Sequence, residues 1–156
     1  MRIEGYDKLI KDLRALGTEG EQSIAGVTAE SANKIEVDAK QTAASVVVNF
    51  NGKDYRAKDL GGLGQNILAR EVDKLNWKVY ANAFGTADYS AYVEFGTGGL
   101  VEVPDELQEM AIQFKGAGIK EVNMPARPYL YPAFVRGREK YIDELKKELD
   151  YLTKNI

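Results

Sequence analysis

The sequence predicts an α+β fold in one domain: N-terminal helices, an antiparallel-rich sheet of three to four strands, short central helices and a long C-terminal helix. Three observations predict it. Apolar residues recur at three- and four-residue steps through residue 44, the period shortens to two between residues 45 and 84, and helical spacing returns from about Ala133. A chain of 156 residues is the size of one ordinary domain. Such a chain buries about 70% of the surface its unfolded form exposes, enough to hold a core without disulfide or metal. The expected regions are helices over 1–44, strands over 45–84, short helices and a mobile loop over 85–124, and a proline-rich segment with the C-terminal helix over 125–156.

The first helix rests on Ile3, Tyr6, Leu9, Ile10, Leu13 and Leu16, which share one face. Gly17 ends it and Thr18 can cap the second helix. That second helix, roughly 19–44, carries the stripe Ile24, Thr28, Ala32, Ile35, Ala39 and Ala43. Its small residues permit close approach of a partner helix but bury little area each, so it depends on its neighbours. VVVNF, Asn51-Gly52 and KDYRA read as strand, tight turn and strand, because Asn-Gly tolerates the positive φ of a type I′ turn. DLGGLGQN is loop. NILAREV and LNWKVYANAF are two more strands about Asp73-Lys74. In the second, Leu75, Trp77, Val79, Ala81 and Phe84 alternate with Asn76, Lys78 and Tyr80, so one face is buried and the other meets solvent or a partner.

DYSAYVEF is a short helix with Asp88 near its start, and GTGG stops it. PDELQEMAIQF, begun by Pro104, is a second, with Leu107, Met110, Ala111 and Phe114 on one side. Residues 96–124 hold five glycines and few apolar residues, and are expected to be the mobile part. MPARPYLYP holds three of the four prolines and should run extended. The last helix, about Ala133 to Leu152, has Phe134, Tyr141, Ile142, Leu145, Leu149 and Leu152 on its inner face, and Glu144 to Glu148 with Asp150 on its outer one. Gly137 reads as a weak point, worth about 1 kcal/mol relative to alanine.

The composition excludes much chemistry. The chain has no cysteine and no histidine, which removes disulfides, thiolate nucleophiles, Ser-His triads and the usual zinc sites. No apolar run approaches the roughly 20 residues of a membrane span, so no membrane partner is expected. MRIEGYDKLIKDLRAL lacks the apolar core of a signal peptide, so the protein is expected in the cytoplasm until release. The glycine loops GLGQNI and GTGG match neither a P-loop nor a dinucleotide fingerprint. The pairs Glu102 with Glu106 and Asp105 with Glu109 read as a solvated acidic face rather than a catalytic dyad. No enzymatic activity, cofactor or metal is expected.

The net charge of −3 gives no overall basic field to gather nucleic acid. Its distribution is uneven. Residues 88–109 carry six acids and no base, whereas residues 115–140 carry six bases against two acids. Four tyrosines, Tyr89, Tyr92, Tyr129 and Tyr131, flank the glycine and proline loops; an apolar ring with a polar tip suits a partly wet interface as well as a half-exposed core.

YSAYVEFGTG followed by MPARPYLYPAF and a charged C-terminal helix resembles the tail-completion, or head–tail joining, family of long-tailed bacteriophages. The first motif falls on Tyr89, Ala91, Tyr92, Val93, Glu94, Phe95, Gly96 and Thr97, the second on Ala126, Arg127, Pro128, Tyr129, Leu130, Pro132 and Ala133. The N-terminal helices and Ala39-Lys40 fit the family layout. Where the family has a proline and a Thr-Gly-x-Leu run, SVVVNFNGKDYRAKDLGGLGQNI stands, echoing it at Gly62-Leu63 and Asn66-Ile67.

The resemblance implies a structural virion protein of the phage neck, assembled in the host cytoplasm. It implies a ring of six copies joining the major tail tube protein to the head-completion (stopper) protein, with DNA passing without sequence preference through the centre. Tyr92, Glu94, Phe95, Gly96 and Thr97 are then a structural turn, with Tyr92 and Phe95 packed inward and Glu94 pointing out. Asp105, Arg127, Pro128, Tyr129, Leu130 and Tyr131 become candidates for the interface between copies, through contact of the acidic with the basic segment; alternatively the two segments fold onto one another within a subunit, or the bases line the DNA channel. A soluble binding module of phage or prophage origin, adaptor or toxin-neutralising, remains the alternative, and a carboxylate–tyrosine hydrolase a third class. Gene neighbourhood and electron microscopy separate them.

Overall fold

Two long helices form the frame. The computed structural model describes residue 10 and residues 17–50, 52–56, 62–81, 89–97, 103–109 and 124–154. Helix α1 spans Thr18–Ser45 and helix α3 spans Leu130–Lys154. At about 1.5 Å per residue, the 28 residues of α1 extend roughly 42 Å. The predicted stripe of α1 is the buried one: Ile24, Thr28, Ala32, Ile35, Ala39 and Ala43 all face the core. Gly17, at φ 86°, occupies the N-cap position expected of Thr18, which is the first helical residue.

The two helices run antiparallel, as their cross-contacts show. Ser23 donates to Glu148 and Ser31 Oγ to Glu144 Oε2 (3.2 Å), while Thr28 Oγ1 lies 3.0 Å from Tyr141 Oη. Arg136 makes a forked pair with Asp38, Nε to Oδ2 at 2.9 Å and Nη2 to Oδ1 at 3.0 Å. Glu144 and Glu148, expected on the outer face of α3, thus turn toward α1. Gly137 sits at the crossing, where a Cβ would overlap the Ile35 side chain at Cγ1 and Cδ1. The residue read as a weak point is what lets the helices approach. Its cost in helix propensity is local, and the contact it permits is not.

Among the described residues four strands form, as two separate antiparallel hairpins rather than one sheet of three or four strands. Strands β1 (Val47–Phe50) and β2 (Lys53–Arg56) pair Val47 with Arg56 and Phe50 with Lys53 about a turn in which Gly52 has φ 75°. A 3₁₀ turn at Leu63–Asn66 leads into β3 (Ile67–Asp73), which pairs with β4 (Asn76–Ala81). The inner face of this second hairpin carries Ile67, Val79 and Ala81 onto the core built by Ile35, Ala39, Ala43 and Ala133. Glu36 of α1 accepts the Ala69 amide at 2.6 Å, closing part of the free edge of β3. At the far end Leu75, Ile24, Tyr141 and Leu145 form a second cluster, against which Ile10 packs.

Helix α2, Ser90–Phe95, and a 3₁₀ turn, Asp105–Leu107, complete the elements. Leu107 packs on Phe95, with Ala91, Val103 and Tyr131 alongside. Helix α3 begins at Leu130, three residues before the expected Ala133. Pro132 stands in its first turn, where a missing N–H is harmless. Apart from Ile10, the expected helix over 1–16 lies outside the described residues. So do Asn51, Asp88, residues 98–102 and 110–123, and with them most of the expected mobile stretch.

Candidate functional site

The two motifs that the sequence keeps about 30 residues apart form one structural unit. Helix α2 turns Val93 into the main core and its last residue, Phe95, onto Leu107. Between them Glu94 is 7% exposed and points at the start of α3. Its carboxylate accepts three successive backbone amides: Tyr129 at 2.9 Å and Leu130 at 3.0 Å on Oε2, and Tyr131 at 2.8 Å on Oε1. A helix start leaves amide donors without intrahelical partners, and a negative charge there is favoured. Here one remote carboxylate takes three of them, and Pro132 next in line has no N–H to satisfy. Glu94 is therefore the N-terminal cap of α3, supplied from another helix.

Further bonds tighten the same clasp. Gly96, at φ 76°, ends α2 and donates to Tyr92 O at 2.9 Å. The Thr97 amide donates to Met124 O at 2.8 Å, and the Met124 amide returns a bond to Thr97 Oγ1 at 2.8 Å. The Arg127 amide donates to Val93 O at 2.8 Å. Tyr131 Oη donates to Glu106 Oε2 at 2.8 Å and so ties in the acidic turn. Tyr129 is 1% exposed, and burial, reinforced by the charge of Glu94, raises its phenol well above the ordinary value. A bond to Ser90 works in the opposite direction.

Several expectations are corrected here. Glu94 does not point out; its burial is tolerated because all of its partners are amides of a helix start. Tyr92 does not pack inward: it is 45% exposed, since a six-residue helix offers only one buried side and Val93 and Phe95 fill it. Phe95 is buried as expected. Tyr129 belongs to the subunit core, so it offers no free surface to a partner. Arg127 is half-buried, and its Nε has no acceptor among the described residues. Asp105 and Pro128 are exposed, and Leu130 and Tyr131 are half-buried. At Asp105 and Glu106 the backbone is a 3₁₀ turn, and Glu102 lies outside the described residues. Of the basic segment, Arg136 is already paired with Asp38 inside the subunit.

A groove of about 630 Å³ runs beside the α1–α3 crossing. Its Lys34 pairs with Glu30 and Glu144, and its Arg136 with Asp38, so its charges neutralise one another. Among the described residues no group of acids could hold a metal ion, and no helix is long and apolar enough to cross a membrane.

Comparison with curated proteins and with solved structures returns no match. A family model does match, over residues 7–96, which is more than half of the chain; its description is "Bacteriophage HK97-gp10, putative tail-component". The matched span takes in α1, both hairpins and α2 with Glu94, while the amides that Glu94 caps lie beyond it. The chain belongs to the HK97-gp10-like family of bacteriophage tail components.

Proposed function

We propose that this tail component works at the phage neck as a non-enzymatic ring. Six copies join the major tail tube protein to the head-completion protein and leave a central passage for DNA. The observation that carries the reading beyond the family is the use made of Glu94. The one carboxylate of the YVEFGT motif is consumed in capping α3, so the motif is scaffold. That leaves recognition to the exposed surface around it. A ring needs two different complementary faces on each subunit, because a self-complementary patch closes a dimer instead.

The test is genetic and visual. Deleting the gene from its phage is expected to leave filled heads and separate tails, rescued by supplying the protein, with the protein found by labelling at the junction. Normal particles without it would end the reading. Purified protein is expected to hydrolyse no nucleotide, ester or glycan; hydrolysis lost on changing Glu102 or Glu106 would contradict the structural role. Electron microscopy of concentrated protein, alone and with its neck partners, distinguishes a ring from a monomeric adaptor.

A further inference from the structure

The outer face of the β3–β4 hairpin has a charge arrangement that the described residues do not resolve. Side chains alternate across a strand, and directly opposed residues share a face. With Ile67, Val79 and Ala81 turned inward, the outer face carries the cross-strand pairs Leu68 with Tyr80 and Arg70 with Lys78. Arg70 and Lys78 are both exposed and both positive. Like charges placed directly opposite destabilise a hairpin. Neither makes an ion pair among the described residues, although Lys34, Lys40, Lys74, Arg136 and Lys146 all do. Beside them Leu68 is 37% exposed, and Val72, at the irregularity between Glu71 and Asp73, is 55% exposed. Two cations without an ion pair among the described residues, bordered by apolar side chains, make a face suited to an acidic partner that also buries carbon.

The same chain carries the complement. Asp105, Glu106 and Glu109 are exposed on the turn after Pro104, whose Leu107 is anchored on Phe95. Anchoring Leu107 fixes the turn and leaves the acids outward. Residues 88–109 contain no base to neutralise them. We propose that the outer face of β3–β4 receives the acidic turn at residues 105–109 of a second copy of the chain. The inference rests on the ring reading and names its contact. Since the two patches are different, the contact is head-to-tail and can propagate around a ring. It differs from a contact through the basic segment at 115–140, of which Arg136 is engaged within the subunit. A duplex DNA partner is less well matched, because tracking a phosphate backbone takes a run of cations, and here two stand among apolar neighbours.

A chain without cysteine makes the test direct. In full-length protein, Lys78→Cys and Glu109→Cys are prepared singly and together. Oxidising a mixture of the two single variants is expected to give a cross-linked dimer that neither gives alone, and the double variant is expected to give a ladder. Arg70→Glu with Lys78→Glu is expected to shift the self-association midpoint about tenfold or more in concentration. Asp105→Lys with Glu109→Lys is expected to restore it. Arg70→Gln with Lys78→Gln provides a milder variant, with circular dichroism as the check on folding. Assembly that persists in the charge-reversed protein, with no ladder, overturns this contact and leaves the ring standing. No assembly of the unaltered protein, free or with its neck partners, overturns both. Loss of binding to a 30-base-pair duplex, with assembly unchanged, assigns the face to DNA and also overturns the contact.

Discussion

The carboxylate of Glu94 lies 2.8 Å from the amide of Tyr131, 37 residues further along the chain, and through it governs how α3 begins. Hydrogen bonds to a charged group contribute about 1.5–3 kcal/mol each where the alternative is a buried unpaired donor. Glu94→Ala exposes three such donors at once, although water can reach the half-buried ones. It is expected to cost about 3 kcal/mol, and Glu94→Gln, which sets an NH₂ group against amide donors, about 2 kcal/mol. Urea unfolding measures both. A change below about 0.5 kcal/mol for Glu94→Ala, the range of ordinary surface substitutions, shows that the cap is dispensable.

Gly137→Ala improves helix propensity by about 1 kcal/mol yet is expected to destabilise, because its methyl would meet Ile35. Overpacking costs about 1–3 kcal/mol, so a net loss of about 1–2 kcal/mol is the expected result. Ile35→Ala alone leaves a cavity and costs about 2–4 kcal/mol. Combined, the two should cost less than their sum, as each relieves the other. Strict additivity in a thermal or urea series means that the helices do not touch at this point.

Two acids at the frame respond to pH. Glu36 is held below the ordinary carboxylate value of 4.5 because Lys40 donates to it, with the Ala69 amide adding to the effect. Glu144 is held below it chiefly by Lys34. A carboxyl whose pKa is depressed by folding stabilises at pH above its unfolded value, and that stability is lost as pH falls through the folded value. Stability is therefore expected to drop below about pH 4.5, and Glu36→Gln should flatten the drop. An equal slope with and without Glu36 removes it from the account.

At the alkaline end the sign reverses for Tyr129. Burial first, and the Glu94 charge second, raise its phenol above the ordinary value of 10. The unfolded chain then ionises before the folded one. Stability from this group is complete below about pH 10 and declines as the pH rises beyond it. The expected observation is a urea midpoint that falls between about pH 9 and 11 in the native protein and falls less in Tyr129→Phe. If both fall alike, other groups are responsible.

What could be read from the sequence was local. The stripe of α1 repeats for six positions at helical spacing, so its buried face was legible residue by residue. The Asn51-Gly52 turn announced its hairpin through backbone preference. Relations between distant segments carried no such mark. Nothing near Glu94 reveals that its partners are amides beginning at residue 129, and an acid in a short helix reads as solvated by default. Gly137 looked costly because propensity counts only its own helix, while Ile35 lies 102 positions away. The single short helix holding Tyr92 and Phe95 is too brief for periodicity to choose a face. The start of α3 was placed late because three prolines suggest an extended chain, whereas a proline in a first turn suits a helix. The cations Arg70 and Lys78 became a pair only when the register of β3 and β4 was known.

The reciprocal bonds between Thr97 and Met124 have a consequence for how the chain can vary. They hold the two ends of residues 98–123 together, while Leu107 packed on Phe95 and Glu106 bonded to Tyr131 fix the turn at Asp105–Leu107 between them. For a flexible closed loop the entropy of closure grows only with the logarithm of length, about 0.6 kcal/mol per doubling. Residues can then be added or removed between the pinned ends, outside that turn, at small thermodynamic penalty, with the contacts of Leu107 and Glu106 to α2 and α3 kept. The stem at Thr97 and Met124 is a natural graft point, where a different recognition segment that still covers Phe95 can be spliced into an unchanged subunit.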